Sequence, residues 1–142
     1  MEYLPGVDLM SFLRMQLDLS VADRKYLLTN ILMGLKDCHE SGVIHRDIKP
    51  QNIIVDVHTY QMKLIDFGLS LQTEKGSKVC RNKCGTVGYM APEVFQRSYS
   101  EKSDIFSFGI IAHLLLMGSN PLKGKSYEET CLRSQAGKIN LK

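Results

Sequence analysis

The sequence predicts a mainly helical α+β chain with one small β-hairpin. Three observations predict it. Two long segments, one opening at Ser20 and one at Asp104, are apolar at helical spacing or nearly all round. Two short runs rich in branched residues, 53–57 and 62–65, flank a turn. The 142 residues, 23% of them charged, have the length and balance of one globular domain with its own core.

The elements follow in order. Leu9, Phe12, Leu13 and Leu17 give a short amphipathic helix over 9–17. Ser20-Val21-Ala22-Asp23 reads as a capping box with Asp in place of Glu, and Leu28, Ile31, Leu32 and Leu35 continue the helix it opens. Ser41-Gly42 stops that helix, and Val43-Ile44 is extended. The hairpin strands span 53–57 and 62–65, with His58–Tyr60 near the turn and Asp56 an ordinary turn former. Residues 69–90 have no period and hold three glycines, so they read as a long loop. Residues 104–117, apolar nearly all round, mark a buried helix. Ser126 and Glu129 form a second capping-box pattern and start a last helix near 127–136.

Composition excludes several function classes. A net charge of +3 is too mild to argue for nucleic acid or an anionic membrane as partner. Met1–Gly6 has neither a basic nor an apolar leader region. The longest apolar stretch, Ile110–Met117, falls far short of the ~20 residues of a spanning helix. Cys38, Cys80, Cys84 and Cys131 match neither a disulfide framework nor a zinc pattern, so the expected compartment is reducing, intracellular and cytoplasmic.

Three segments carry chemistry: His45-Arg46-Asp47-Ile48-Lys49-Pro50-Gln51-Asn52, then Asp66-Phe67-Gly68, then Gly85-Thr86 followed by Tyr89 and Ala91-Pro92-Glu93. In this order they are similar to the protein-kinase signature set: catalytic loop, metal-binding turn and the end of the activation segment. The chain resembles a eukaryotic protein kinase from Met1 to Lys142. Phosphoryl transfer needs positioning and charge stabilisation more than covalent help, and the residue types suit that. The resemblance makes Asp47 the group that orients a substrate hydroxyl and accepts its proton. Lys49 becomes a cation beside the transferring phosphoryl group, and Asn52 and Asp66 become oxygen ligands for Mg²⁺. ATP is then the phosphoryl donor and a protein the acceptor.

Other positions carry over by the same resemblance. Glu2 and Leu4 look like the hinge whose backbone meets adenine, and Met1 falls at the gatekeeper position. Asp8 looks like the acid near the ribose, and Ile54 like the floor of the adenine pocket. Thr86 looks like the threonine that contacts the catalytic Asp and Lys. Asp104 looks like a buried acid tied to the catalytic-loop backbone, since a buried carboxylate needs donors such as N–H groups. His45 is expected to be a packed residue, not a base.

No glycine-rich GxGxxG loop and no VAIK-type lysine strand is present. The resemblance therefore implies a partial kinase domain over 1–142, a C-terminal lobe running from the hinge to the helix after the large buried one. Its N-terminal lobe would be absent and supplied by the rest of a parent chain. The usual partner of Glu93 would lie past Lys142, which leaves Glu93 without its expected Arg. Asn82 stands where many kinases carry a phosphorylatable Thr, with Ser77 and Thr73 the nearest upstream hydroxyls in a basic segment holding Lys75, Lys78, Arg81 and Lys83. Lys49 points to Ser/Thr specificity, and the loop with Cys84-Gly85-Thr86 is similar to the calcium/calmodulin-dependent group. Two rivals are a pseudokinase or interaction module without catalysis, and a small-molecule phosphotransferase. The intact catalytic residues weigh against the first. The Ala91-Pro92-Glu93 segment, part of a peptide platform, weighs against the second.

Overall fold

The computed structural model describes residues 5–15, 18–74, 77–80 and 82–139. The expectations placed on Met1, Glu2, Leu4, Leu17, Lys75 and Arg81 lie outside the described residues. Strand β1 (Val7–Asp8) runs directly into helix α1 (Leu9–Met15). The Asp8 carboxylate makes that junction: it accepts the Ser11 N–H at 3.0 Å and the Ser11 hydroxyl at 2.6 Å.

Helix α2 (Val21–Glu40) opens with the expected capping box. Ser20 Oγ accepts the Asp23 N–H, and the Asp23 carboxylate accepts the Ser20 N–H, each at 3.1 Å. It closes at Ser41, with Gly42 at φ +72°, the left-handed conformation that glycine adopts without steric cost. Its buried line is Leu27, Ile31, Leu35 and His39. Leu32, expected on this face, is exposed: it follows Ile31 by one residue, about 100° around the helix, and the core contacts only a narrow stripe.

Strand β2 (Val43–Ile44) leads to the loop before a short 3₁₀ turn at Pro50–Asn52, strand β3 (Ile53–Val55) and strand β4 (Met62–Leu64). The hairpin pairs Ile53 with Leu64 and Val55 with Met62. At its tip Asp56 accepts the N–H groups of His58 (2.8 Å) and Thr59 (3.0 Å), the turn-forming role expected of it. Strand β1 adds on the far side of β3 to make a three-stranded sheet in the order β1-β3-β4.

The 69–90 stretch is more ordered than its sequence suggests. Strand β5 (Leu71–Gln72) pairs with β2, and strand β6 (Val79–Cys80) pairs with strand β7 (Ser98–Tyr99) beyond a 3₁₀ turn at Pro92–Gln96. Two-residue bridges are too short to leave a period in the sequence. Helix α3 (Glu101–Met117) starts three residues earlier than expected, because its first turn is polar and capped reciprocally by Ser100 and Ser103. It is not buried all round. Ser103, Asp104, Ser107, Ile110, Ile111 and Leu115 face inward, while Ile105, Leu116 and Met117 face out. Helix α4 (Tyr127–Ala136) has half of its expected box: Ser126 Oγ accepts the Glu129 N–H. The Glu129 carboxylate is taken instead by the Lys125 N–H and Arg133.

One core joins α1, α2, α3 and the hairpin through Leu9, Phe12, Leu27, Ile31, Ile48, Ile53, Ile111 and Leu115. A smaller one, of Met90, Ala91, Val94 and Tyr99, sits under the residues after Gly85. Among the described residues no helix is long and apolar enough to cross a membrane. Because Ser20 closes its box in both directions, Ser20→Ala is expected to destabilise the fold by about 1 kcal/mol, read as a lower urea midpoint with unchanged slope.

Candidate active site

The site is built on the loop between β2 and β3. His45 is fully buried, with its ring 4.7 Å from that of Phe67. Its Nδ1 lies 3.3 Å from the Asp47 N–H and its Nε2 lies 2.9 Å from the Ile65 carbonyl. A carbonyl only accepts and an amide N–H only donates, so Nε2 carries the proton and Nδ1 accepts. Both nitrogens are occupied, which makes His45 the packed residue expected and not a base.

Asp104, 1% exposed, reaches this loop from α3. Its Oδ2 accepts the His45 N–H at 2.8 Å and its Oδ1 the Arg46 N–H at 2.9 Å. His39 of α2 adds Nε2 at 2.9 Å from Oδ2. Arg46 holds a left-handed conformation (φ +68°), uncommon outside glycine, and these bonds hold it there.

Asp47 follows, 8% exposed. Its Oδ1 accepts the Thr86 hydroxyl at 2.7 Å. Its Oδ2 accepts Asn52 Nδ2 and lies against Lys49 Nζ, each at 3.1 Å. Lys49 Nζ also donates to Thr86 Oγ1 at 2.9 Å, so the threonine hydroxyl accepts from the cation and donates to the carboxylate. Four of the residues expected from the sequence (Asp47, Lys49, Asn52 and Thr86) thus form one closed hydrogen-bonded group.

Asp66 reaches the same end of the hairpin by a different route. The Ile65 N–H bonds the Asn52 carbonyl at 2.9 Å and so brings the next residue alongside Asn52. Asp66 adopts φ +60°, stands exposed, and accepts the Gly68 N–H at 3.4 Å. Asn52 donates Nδ2 to the Asp47 carbonyl and carboxylate, and its Oδ1 takes no part in those two bonds. One neutral oxygen and one exposed carboxylate at adjacent strand ends fit Mg²⁺, which takes few protein ligands and keeps several waters. Among the described residues no cluster of three or more His, Cys, Asp or Glu competes as a metal site.

On the opposite side of β3, Asp8 stands in register with Ile54. Burial pushes the Asp8 carboxyl up, but the Ser11 hydroxyl and N–H bonds outweigh it and hold it below its ordinary value. Both its oxygens are committed to capping α1, a role the sequence reading did not assign. Glu93, expected to stand without its Arg, is half-buried and accepts the Ser103 hydroxyl at 3.0 Å.

Sequence reasoning missed the groups that hold the turn after Thr86. Gly88 donates its N–H to the buried Ser134 hydroxyl at 3.0 Å and accepts Asn120 Nδ2 at 3.1 Å. The Tyr89 carbonyl accepts the Ser107 hydroxyl at 2.7 Å. These partners lie 18 to 46 residues away in the chain, beyond any local pattern.

Comparison with known proteins agrees with the geometry. The family model described as protein kinase domain matches residues 1–140. The chain is 39% identical over 131 residues to ribosomal protein S6 kinase alpha-1 of Homo sapiens, covering 92% of this chain and 18% of the relative. It is 39% identical over 131 residues to ribosomal protein S6 kinase 2 alpha of Xenopus laevis, with the same coverage. Against ribosomal protein S6 kinase alpha-3 of Mus musculus it is 35% identical over 142 residues, 99% of this chain and 19% of the relative. The chain spans about a fifth of the length of these curated relatives. None of these names speaks to the calcium/calmodulin-dependent group.

The Asp8 cap carries a pH dependence. A carboxyl held low in the folded state contributes stability that is present above its unfolded value, near 3.8, and lost as pH falls through the lower folded value. The stability difference between wild type and Ser11→Ala, from urea titrations, is therefore expected to be constant near neutrality and to shrink below about pH 4.

Proposed function

We propose that this chain, which belongs to the protein kinase family, carries the phosphoryl-transfer residues of a serine/threonine protein kinase acting on protein hydroxyls with ATP. The observation that carries this reading is the closed group of Asp47, Lys49 and Thr86 with Asn52. A carboxylate fixed by a threonine, an amide and an ammonium is oriented before substrate arrives, and pre-organisation of this kind supplies much of an enzyme's rate.

In this reading Asp47 orients the acceptor hydroxyl and takes its proton as that oxygen bonds to the γ-phosphorus and the bond from that phosphorus to the β–γ bridging oxygen breaks, releasing ADP. Lys49 stands beside the oxygens that gather charge. Asn52 Oδ1 and the Asp66 carboxylate would hold Mg²⁺, which when bound neutralises charge on the phosphate oxygens. The strand pair carrying Asp8 and Ile54 would form the sugar and base side of the nucleotide site, with Glu2 and Leu4 as hinge. The glycine-rich loop and lysine strand, missing from these 142 residues, would come from the rest of the parent protein.

A protein acceptor is supported by a groove of about 760 Å³ that begins one residue past Thr86. Val87, Tyr89 and Leu114 give it an apolar wall, and Lys123 and Lys125 a cationic rim. The compartment proposed is intracellular and cytoplasmic, which suits the free thiols of Cys38, Cys84 and Cys131.

The test uses the full-length protein with labelled ATP and peptide acceptors. Asp47→Asn is expected to cut kcat by about 10²–10⁴-fold with nucleotide affinity nearly kept, since its contact is with the acceptor hydroxyl. Asp66→Asn is expected to weaken Mg²⁺-nucleotide binding in calorimetry. Near wild-type turnover in both variants removes the assignment, and nucleotide binding without transfer by wild type makes the protein a pseudokinase. Within a set of peptides that are phosphorylated, those with acidic residues flanking the acceptor are expected to be preferred. Lys123→Glu combined with Lys125→Glu should reverse that order.

A further inference from the structure

Tyr99 belongs to none of the motifs read above, and only 1% of it is exposed. Its hydroxyl accepts the Cys84 N–H at 2.6 Å and lies 3.1 Å from the Cys84 carbonyl and 3.2 Å from the Asn82 carbonyl. A phenol has one proton and two lone pairs, so one strand of backbone occupies most of what this hydroxyl offers. Burial, with the nearby Cys84 thiol, pushes the phenol up to about 12, so the proton stays in place to be donated to the carbonyls.

The same residue holds the segment a second time. Its main chain pairs with Val79 across β6 and β7, so backbone fastens Val79 and the phenol fastens Asn82 and Cys84. On its ring face lies the guanidinium of Arg46, 5.1 Å from the centroid. Arg46 adjoins Asp47, and Cys84 stands two residues before Thr86. Between them Gly85 passes so close to the loop that a Cβ there would sit 2.8 Å from the Arg46 carbonyl. Tyr99 therefore touches both chains that meet at the reacting carboxylate. It does so with an uncharged side chain, at the stretch where Asn82 stands in place of a phosphorylatable residue.

We propose that Tyr99 is a positioning residue for phosphoryl transfer: its hydroxyl sets the path of residues 82–84 and thereby holds Thr86 against Asp47 and Lys49. The proposal rests on the kinase reading for its kinetic arm but not for its structural one. Tyr99→Phe is the clean variant, since it keeps the ring, its packing and the Arg46 contact and removes only the oxygen.

In the full-length protein, Tyr99→Phe is expected to lower kcat about tenfold, because Thr86 no longer holds Asp47 and Lys49 in place, and to raise the peptide KM, with the ATP KM unchanged. Amide hydrogen exchange at Cys84–Thr86 should accelerate by a similar factor, while exchange in α2 stays as in wild type. A merely structural role gives a different pattern: kcat falls, both KM values stay, and exchange in α2 accelerates as well. That pattern, or unchanged exchange at Cys84–Thr86, overturns the proposal. If wild type transfers no phosphate, the kinase reading fails by itself, and the exchange measurement still decides the role of Tyr99.

Discussion

The arrangement depends on one buried carboxylate. Asp104 is out of water, and a carboxylate there is tolerated only when its lone pairs are met by donors. The His45 and Arg46 N–H groups and His39 Nε2 meet them. Helix α2 and the loop after β2, which follow each other in sequence, are thereby joined at a point to the distant α3, and the loop is held in a backbone conformation that Arg46 would not favour alone. The direction in which Asp47 leaves the loop follows from that anchor.

The second half of the site arrives from the other side of the molecule. The stretch from Cys84 to Tyr89 is fastened along its length by partners on separate elements: Tyr99 from β7, Ser107 from α3, Asn120 from the loop after it, and Ser134 from α4. Thr86 sits inside this frame and closes the bridge between Lys49 and Asp47. Orientation is set by many modest bonds of about 1 kcal/mol each, a design suited to chemistry whose main requirement is placement. The Asn52–Asp66 end differs in kind. The Asp66 carboxylate is exposed and accepts a long bond of 3.4 Å from the Gly68 N–H, whereas Asn52 is buried.

Much of this was legible from local patterns. The Ser20–Asp23 cap, the stop at Ser41-Gly42, the hairpin and the order of the chemistry-bearing segments are short-range features, each determined within about four residues. Asp47, Lys49 and Asn52 share one loop, so their convergence with each other was visible as spacing. The errors have physical causes. Leu32 continues the apolar spacing of α2 yet is exposed, because periodicity reports a face and not how wide a stripe the neighbours cover. Helix α3 was read as buried all round because its outward apolar residues look the same in sequence as its inward ones.

The sequence by itself determined the main helices and the hairpin, and which side chains bring carboxylate, amide, hydroxyl and ammonium groups to the site, because capping, turn chemistry and side-chain type act locally. Only the tertiary structure decided which of them meet. Asp104 found His39 and the loop backbone across 58 to 65 residues, and Tyr99 found Cys84 through a phenol that no motif marks. Asp8 was engaged as a helix cap, and Glu93 was met by Ser103. Such pairings are selected by burial, which makes each polar group satisfy itself with whatever donor the packing brings within 3 Å, and packing is a property of the whole chain.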